Sequence, residues 1–411
     1  MSDAQTDKPK IIEKFPGGTV TPPASKSLCH RAVICAALAS GDRGSSSVLM
    51  NIDRSDDVDA TVAGMSALCE DPARPAVIDC NESGSTLRFL LPIAALREHE
   101  TVFLGRGRLL QRPLDIYADI FAKSGVAFVH DEREARVRGP FRAGVYTLSG
   151  DVSSQFVSGL LFALPLVDGD SEIRLATPLQ SRQYVDLTVD VMSRFGVDIK
   201  EFEEGYRVRG NQKYRAADYT VEADYSQAAF FLAAAALGQT VRVAGLNRDS
   251  RQGDRAILKI LRDMGAEVNW RGAEVSVTAG KLKAVTVDAR DVPDLVPPVA
   301  ALCCFCDGTS RIVNAGRVRL KESDRLHALA VELSKLGAQI TEHDDGLSIT
   351  GARYLTGGGV DAWGDHRIAM AMAVASIRCR EPVAVSGWRC VSKSYPGFWR
   401  DFEVGEKEKE L

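Results

Sequence analysis

Acidic and basic residues are mixed in the segment RVRLKESDR, residues 317–325, directly before an apolar helical pattern. A carboxylate such as Glu322 could move a proton there while the neighbouring cations hold an anionic ligand. The ordinary alternative is a solvated charge run in which Ser323 or Asp324 caps the helix, and the segment alone favours that interpretation. A catalytic role for Glu322 therefore needs support from the position of the segment in the fold.

A second carboxylate, Asp294, lies in the proline-bounded turn of ARDVPDLVPPVA, ahead of an apolar stretch. Such a carboxylate, beside bound phosphates and free of a permanent Arg partner, could act as a general base. The alternative is an aspartate that only caps the following helix. The residues alone leave both interpretations open.

Small polar clusters also precede apolar helical patterns in PPASKSLCHR, NESGSTLR, SSQF (residues 153–156) and GDHR (residues 364–367). Hydroxyl, amide and cationic groups at a helix start can bind a polar ligand, and simple capping is the alternative for each cluster. His366 could titrate near neutrality, but orienting a neighbour is the favoured role. These loops contain no GxxxxGK[ST] or GxGxxG motif, so a nucleotide-binding loop is not supported.

These helix starts recur along the chain and indicate six structural repeats. The markers Ser27, Ser85, Ser154, Ser226, Asp294 and Asp365 follow one another at intervals of 58 to 72 residues. Glycines that follow a helix end recur with the same period, at Gly125, Gly196, Gly265 and Gly337. Each repeat is predicted to hold short strands, one apolar internal helix and one amphipathic helix, the latter at 114–123, 185–195, 254–264 and 324–336.

Bulk properties favour a two-domain protein with three repeats in each domain. The chain has 411 residues, 45% hydrophobic and 26% charged residues, and a net charge of −4, which does not suggest a nucleic-acid partner. No apolar stretch is long enough for a membrane span, and the polar start lacks the apolar core of a signal peptide, so a cytoplasmic location is expected. The nine cysteines show no zinc-ligand spacing and suit reduced, packed thiols.

If the internal helices run parallel within each half, their N-termini gather at one end and attract anions. Affinity must come largely from cations in the same loops, because a helix terminus alone contributes little. Such cations are present at Lys26, Arg31, Arg88, Arg112, Arg317, Arg319, Lys321, Arg325, Arg367 and Lys393. Anionic ligands are therefore predicted.

Eight ordered motifs then carry a resemblance over nearly the whole chain. PASKSLCHR, ESGSTLR, LLQRPL, SSQF, DVPDL, RLKESDR, GDHR and VSKSYPGF resemble the 5-enolpyruvylshikimate-3-phosphate synthase family. The resemblance implies an α/β fold of two inside-out α/β barrel domains, each of three βαβαββ repeats. It also implies a discontinuous domain, 1–22 and 223–411, an inserted domain, 23–222, and an active site in the cleft between them.

The implied activity transfers the carboxyvinyl group of phosphoenolpyruvate to the 5-hydroxyl of shikimate 3-phosphate and releases phosphate. The resemblance assigns to shikimate 3-phosphate the residues Lys26, Ser27, Arg31, Ser153, Ser154, Gln155, Ser181, Asp294 and Lys321. It assigns to phosphoenolpyruvate the residues Lys26, Gly84, Arg112, Gln155, Arg325, Arg367 and Lys393. Asp294, Glu322 and Lys26 are the implied catalytic residues, with Asp294 as proton acceptor and Glu322 as the acid. No metal or organic cofactor is implied, and a monomer is expected.

Two rival functions are kept beside this one. The carboxyvinyltransferase that acts on UDP-N-acetylglucosamine shares the fold, but its lysine is usually followed by Asn, where Ser27 follows Lys26 here, and GRGRLLQRP lacks its common loop Cys. A non-catalytic anion-binding or RNA-end-processing relative is disfavoured by the net acidic chain and by the presence of both Asp294 and Glu322. Glu82 and Arg317 depart from residues common in the family, so no role is assigned to them, and inhibitor sensitivity to glyphosate does not follow from the sequence.

Overall fold

The chain forms two compact units in a computed structural model that describes residues 8–12, 15–40, 46–71 and 74–403. The discontinuous unit comprises Met1–Pro23 and Ala223–Leu411, and the inserted unit comprises Ala24–Glu222. The first boundary thus falls one residue after the position expected from the sequence. Each unit has its own hydrophobic core. Among the described helices, none combines the length and the apolar content that a membrane crossing requires.

The described residues form twelve α-helices. Six belong to the inserted unit: α1 (Lys26–Ala39), α2 (Asp56–Glu70), α3 (Gly84–Ala94), α4 (Asp115–Ser124), α5 (Ser154–Ala163) and α6 (Arg182–Arg194). Six belong to the discontinuous unit: α7 (Tyr225–Ala236), α8 (Ile257–Asp263), α9 (Val296–Cys303), α10 (Arg325–Lys335), α11 (His366–Ser376) and α12 (Phe398–Glu403). The predicted amphipathic helices correspond to α4, α6, α8 and α10, and a 3-10 turn, Gly253–Ala256, forms the start of the third.

Short strands connect these helices. In the inserted unit they are β3 (Leu49–Met50), β4 (Ala76–Asp79), β5 (Thr101–Leu104), β6 (Ala127–His130), β7 (Glu134–Arg138), β8 (Val145–Leu148), β9 (Ser171–Leu175), β10 (Ile199–Phe202), β11 (Gly205–Val208) and β12 (Tyr219–Thr220). In the discontinuous unit they are β1 (Lys10–Ile11), β2 (Gly18–Val20), β13 (Val241–Val243), β14 (Glu267–Arg271), β15 (Glu274–Thr278), β16 (Thr286–Asp288), β17 (Thr309–Val313), β18 (Gln339–His343), β19 (Gly346–Thr350), β20 (Gly358–Asp361) and β21 (Val383–Ser386).

One sheet pattern recurs in both units. Each four-stranded sheet joins a parallel pair to two antiparallel strands, in the orders β4-β5-β7-β6, β8-β9-β11-β10, β2-β13-β15-β14 and β16-β17-β19-β18. Because α3 and α4, α5 and α6, and α9 and α10 connect the strands of their sheets, the element order is βαβαββ, as the family resemblance implies. Smaller sheets, β1-β21-β20 and β12-β3, complete the described set.

Local sequence explains where the amphipathic helices end. Gly125, Gly196, Gly265 and Gly337 all have positive φ, between 72° and 97°. A side chain disfavours this left-handed conformation, whereas glycine adopts it freely, so these positions stop a helix and redirect the chain into a strand. The sequence-based prediction of a glycine after each helix end is confirmed.

The Ala-rich helices are internal, as their apolar composition predicts. Every residue of α7 and α9 is buried, and so are ten of the eleven residues of α11. By contrast, α10 buries one stripe, in which Leu326, Leu329 and Leu333 are inaccessible to solvent. The internal helices begin where the polar motifs lie, so the fold places those motifs at helix N-termini in each unit.

Candidate active site

Arg325 is the centre of a buried charge cluster in the discontinuous unit. Its side chain is 1% exposed and donates to Asp294 through Nη1 (2.9 Å), to Glu322 through Nη2 (2.8 Å) and to Asp365 through Nε (2.8 Å). The three carboxylates come from the turn before α9, the loop before α10 and the start of α11. Since a buried cation requires such pairing, Arg325 fixes the spacing of the two candidate proton-transfer groups.

Asp294 lies in the 3-10 turn Pro293–Leu295 and has further cationic neighbours. Its carboxylate is 3.3 Å from Nη2 of Arg367 and 3.8 Å from Nζ of Lys321. Burial opposes ionisation of Asp294, but Arg367, Lys321 and Arg325 outweigh that effect and hold its pKa well below the usual range. The condition that Asp294 be free of a permanent Arg partner is not met, because Arg325 donates to it and Arg367 approaches it from 73 positions away in the sequence.

Glu322, the candidate acid, has 12% of its side chain exposed. Its Oε1 is 3.9 Å from Nζ of Lys393, which ends the 3-10 turn Trp388–Lys393, and its Oε2 accepts from Arg325. Burial lowers the pKa of the neighbouring Lys321, and Asp294 opposes this shift. The structure thus brings together six residues predicted from the sequence: Asp294, Lys321, Glu322, Arg325, Arg367 and Lys393.

Capping accounts for two of the polar residues at helix starts. Asp324 accepts from the backbone N–H of His327 (3.1 Å) and pairs with Arg319, so the capping interpretation of Asp324 is confirmed. Asp365, which is inaccessible to solvent, accepts from the backbone N–H of Arg367 (2.9 Å) and from the Ser323 hydroxyl (3.1 Å). Because Asp365 also receives the Arg325 guanidinium, it holds the start of α11 against the start of α10.

Sequence reasoning missed a buried acid in the same unit, Asp254. Its carboxylate accepts a hydrogen bond from the hydroxyl of Ser226, on the first turn of α7. Burial and the nearby Asp294 raise the pKa of Asp254, while Arg367 opposes the shift. The sequence gives no distinct signal for this residue, since SRQGDR resembles an exposed loop that leads into an amphipathic helix.

In the inserted unit, Lys26 forms a partly buried ion pair. Its Nζ donates to Oδ2 of Asp57 at 2.8 Å, and the Asp57 side chain is 6% exposed. Lys26 begins α1 and Asp57 lies in the first turn of α2, so two helix N-termini meet at this pair. Asp57 was not predicted, because an acidic residue in a first helical turn ordinarily serves only the helix dipole.

Arg31 ties α1 to α6. Its guanidinium donates to the Thr188 hydroxyl (2.8 Å) and to the carbonyl groups of Ser27 (2.6 Å) and Tyr184 (2.7 Å), and burial lowers its pKa to about 10. The predicted ligand-binding residues Ser27 and Arg31 therefore lie together. Internal acceptors engage all three guanidinium nitrogens, which gives Arg31 a structural function in addition to any contact with substrate.

Gly84, Arg112 and Gln155 converge on the starts of α3 and α5. A β-carbon at Gly84 would lie 2.9 Å from Nη1 of Arg112 and 3.7 Å from Oε1 of Gln155. Gln155 is fixed from both ends, since Arg88 donates to its Oε1 (2.8 Å) and its Nε2 donates to the Ser85 hydroxyl (3.0 Å). The lack of a side chain at Gly84 leaves this group of polar atoms within reach of the backbone.

The predicted serines also lie at helix starts. Ser153 caps α5 by accepting from the backbone N–H of Gln155 (3.3 Å), so capping is one of its functions. Ser154 is buried beside it, and Ser181 precedes α6 with a left-handed backbone (φ 54°) and 3% exposure. A non-glycine residue in this conformation is uncommon and is frequently found at functional sites.

These groups suit anion binding and proton transfer on small phosphorylated ligands. Each unit gathers helix N-termini, buried cations and, in the discontinuous unit, two carboxylates that share one guanidinium. Within the described residues, no group of three or more His, Cys, Asp or Glu side chains is arranged to hold a metal ion. The absence of a cofactor stays a prediction.

The chain has the enolpyruvyl transferase fold. Two solved structures of EPSP synthase from Acinetobacter baumannii match it with TM-scores of 0.74 and 0.72 at 23% sequence identity. The first alignment covers 94% of this chain and 95% of the other, and the second covers 95% and 96%. At this identity the likeness establishes the fold.

Sequence comparison establishes the family. The model of the EPSP synthase (3-phosphoshikimate 1-carboxyvinyltransferase) family matches residues 13–74 and 69–402. The 3-phosphoshikimate 1-carboxyvinyltransferase of Clostridium novyi is 45% identical, with 96% of each chain covered, and that of Clostridium kluyveri is 44% identical, with 94% of each covered. This chain belongs to the EPSP synthase family, which confirms the resemblance drawn from the eight motifs.

Proposed function

We propose that the chain transfers the carboxyvinyl group of phosphoenolpyruvate to the 5-hydroxyl of shikimate 3-phosphate and releases phosphate. Family membership supports this reaction. The main chemical observation in its favour is that Asp294 and Glu322 both accept hydrogen bonds from the guanidinium of Arg325. Two carboxylates held at a fixed spacing by one buried guanidinium can act as a base and an acid on neighbouring atoms of two substrates.

In the proposed first step, the oxygen of the 5-hydroxyl bonds to the central carbon of phosphoenolpyruvate, and Asp294 takes the proton of that hydroxyl. Glu322 gives a proton to the methylene carbon, and the product of this addition is a phosphorylated tetrahedral intermediate. In the second step the carbon–oxygen bond to the phosphate breaks and Glu322 takes a proton back from the new methyl group, which restores the double bond. The departing phosphate takes up the proton held by Asp294. Atoms and charge balance without any further reactant.

The cations near Asp294 control its basicity. In the structure Arg367 and Lys321 lower its pKa, so the carboxylate without substrate is a weak base. A bound dianion offsets part of their positive charge, which raises the pKa of Asp294 as the substrates arrive. Arg325 is held on three carboxylates, so we assign to it the task of positioning as well as binding.

The remaining predicted residues supply anion binding. We propose that Lys26, Gly84, Arg112, Gln155, Arg325, Arg367 and Lys393 bind phosphoenolpyruvate, and that Lys26, Ser27, Arg31, Ser153, Ser154, Gln155, Ser181, Asp294 and Lys321 bind shikimate 3-phosphate. On this proposal the reaction needs groups from both units. Preorganised cations stabilise the intermediate and the departing phosphate more effectively than water does, because they need no reorganisation during the reaction.

A phosphate-release assay tests the function directly. Release is expected only when shikimate 3-phosphate and phosphoenolpyruvate are both present. Release with UDP-N-acetylglucosamine in place of shikimate 3-phosphate would instead establish the rival activity. No release with either pair would favour a non-catalytic anion-binding protein.

The Asp294→Asn variant tests the proposed base. Turnover should fall at least about a hundredfold while both substrates still bind, because the amide keeps the shape but accepts no proton. Asp288→Asn is the matched control, since Asp288 is an exposed acid that ends β16 in the same unit. Equal turnover for the Asp294 variant and the control would remove Asp294 from this role.

Three further predictions concern the state of the protein. We expect a monomer, which light scattering coupled to gel filtration checks. We expect activity to survive dialysis against a chelator, because no metal is implied. A cytoplasmic location is expected from the sequence and is checked by fractionation of the source cells.

A further inference from the structure

A tight turn precedes α11 and contains an unusual tryptophan. The turn runs from Ala362 to Asp365, whose backbone N–H donates to the Ala362 carbonyl at 2.8 Å. Both central residues have left-handed backbones, with φ of 55° at Trp363 and 63° at Gly364. This arrangement requires positive φ at both central positions, which glycine adopts freely and a bulky residue does not. The surrounding structure must therefore hold Trp363 in place.

The buried carboxylate of Glu332, on α10, holds Trp363. Its Oε1 accepts from the indole Nε1–H at 2.7 Å, and its Oε2 accepts from the backbone N–H of Asp361 at 3.0 Å. Lys335 donates to both oxygens at 2.9 Å, and none of the Glu332 side chain is exposed. The indole bond is charge-assisted and buried at its acceptor end, so it is stronger than an ordinary hydrogen bond.

Side chains of α10 therefore hydrogen-bond to residues at both ends of the turn. Arg325, at the start of α10, holds Asp365, and Glu332, two helical turns further along the same face, holds Asp361 and Trp363. Asp365 in turn caps α11 through the backbone N–H of Arg367. The direction of the Arg367 side chain thus depends on the shape of a turn that Glu332 maintains.

We propose that Glu332 and Trp363 are positioning residues that set the affinity of the site for phosphoenolpyruvate through Arg367. Neither residue is assigned any contact with substrate. The inference rests on the proposed function, since Arg367 is assigned there to phosphoenolpyruvate. The turn is short and its Trp is strained, so loss of the indole bond lets the start of α11 shift and moves the guanidinium away from its aligned position.

Steady-state kinetics of Trp363→Phe tests this proposal. The variant keeps an aromatic ring on a residue that is 38% exposed, and it removes the N–H that reaches Glu332 together with part of the ring. The KM for phosphoenolpyruvate should rise about tenfold or more, the effect expected for loss of a hydrogen bond to a charged group. The KM for shikimate 3-phosphate should stay within about threefold of wild type, because only the phosphoenolpyruvate contact is displaced.

Two further variants make the test specific. Glu332→Gln should raise the same KM, and the double variant should be no worse than the poorer single variant, since Trp363 acts only through Glu332 on this proposal. Trp270→Phe is the control for the Trp→Phe exchange itself, because Trp270 lies on β14 of the same unit, away from the turn. It should leave both KM values unchanged.

Each outcome decides between the alternatives. A lower Tm with an unchanged KM for phosphoenolpyruvate would show a purely structural function for the Glu332–Trp363 bond and overturn the proposal. Equal increases in the KM values of both substrates would overturn it as well. If the wild-type chain releases no phosphate with this substrate pair, both the proposed function and this inference are wrong. If wild type is active and Trp363→Phe has an unchanged KM for phosphoenolpyruvate, only the inference is wrong.

Discussion

Replacing His30 with asparagine should remove a pH-dependent part of the stability of the inserted unit. His30 lies on α1 with 1% exposure, and its Nδ1 is hydrogen-bonded to the Thr61 hydroxyl on α2 at 2.7 Å. Its pKa is lowered from 6.5 to about 3, chiefly by burial and with smaller contributions from Lys26 and Arg31, while Asp57 opposes the shift. The folded protein therefore keeps His30 neutral at pH values where the unfolded chain protonates it.

The sign and size of the effect follow from this difference. The pKa of His30 is lower in the folded protein than in the unfolded chain. Its contribution to the free energy of unfolding is therefore fully present above pH 6.5 and is lost as the pH falls toward 3. At pH 5 the unfolded chain gains about 2 kcal/mol from protonating this residue, and at pH 7 it gains only about 0.2 kcal/mol. The folded state gains almost nothing at either pH. Between pH 7 and pH 5 the loss attributable to His30 is therefore about 2 kcal/mol.

Urea unfolding of wild type and His30→Asn at pH 7 and pH 5 measures this loss. Asparagine offers a polar group near the position of Nδ1, so the bond to Thr61 can persist without a titratable group. The smaller side chain lowers stability at every pH, so only the change between the two pH values is diagnostic. Other titrating groups contribute equally to both proteins and cancel in the difference.

The distribution of aromatic residues separates the two units in this experiment. All four tryptophans, Trp270, Trp363, Trp388 and Trp399, belong to the discontinuous unit, so their fluorescence follows that unit and far-UV circular dichroism follows both. Between pH 7 and pH 5 the urea concentration at the unfolding midpoint, measured by circular dichroism, should decrease for both proteins. The decrease should be larger for wild type than for His30→Asn by roughly 1 M. An equal acid shift for both proteins would refute the assignment of a buried, neutral His30.

Two other substitutions test the charge cluster and the close approach at Gly84. Asp365→Asn keeps a capping side chain but removes one of the three carboxylates that surround buried Arg325. The free energy of unfolding, followed by tryptophan fluorescence, should therefore fall by roughly 2 to 4 kcal/mol. A decrease below about 0.5 kcal/mol would contradict the pairing. Gly84→Ala places a methyl group 2.9 Å from the flexible end of the Arg112 side chain. The KM for phosphoenolpyruvate should rise several-fold, with little loss of stability, because the guanidinium is displaced. An unchanged KM would show that Arg112 does not bind this substrate.

The sequence predicted the repeats well because their signals are local. A polar helix start, an apolar helix and a left-handed glycine each depend on residues within a few positions, and the period of these signals indicated the repeats, while the βαβαββ order came from the family resemblance. The candidate site residues were chosen from motifs for the same reason. Lys321, Glu322 and Arg325 are contiguous in the chain, and the structure places them with Asp294, Arg367 and Lys393.

The residues that sequence reasoning missed have partners far along the chain. Asp57 pairs with Lys26 across 31 positions, and Asp254 meets Ser226 across 28. Glu332 reaches Trp363 across 31 positions and resembles an ordinary polar residue of an amphipathic helix. Nothing in the local pattern distinguishes these residues, since buried pairing is a property of the packed fold.

The sequence by itself determined which types of group line the helix starts and how often they recur. Only the tertiary structure decided how those groups are paired: it placed Arg325 on three carboxylates, set Arg31 between two helices and brought Arg367 to Asp294. The physical reason is that helix and turn signals act within a few residues, whereas pKa values and ion pairs depend on distances of a few ångströms between segments that only packing brings together.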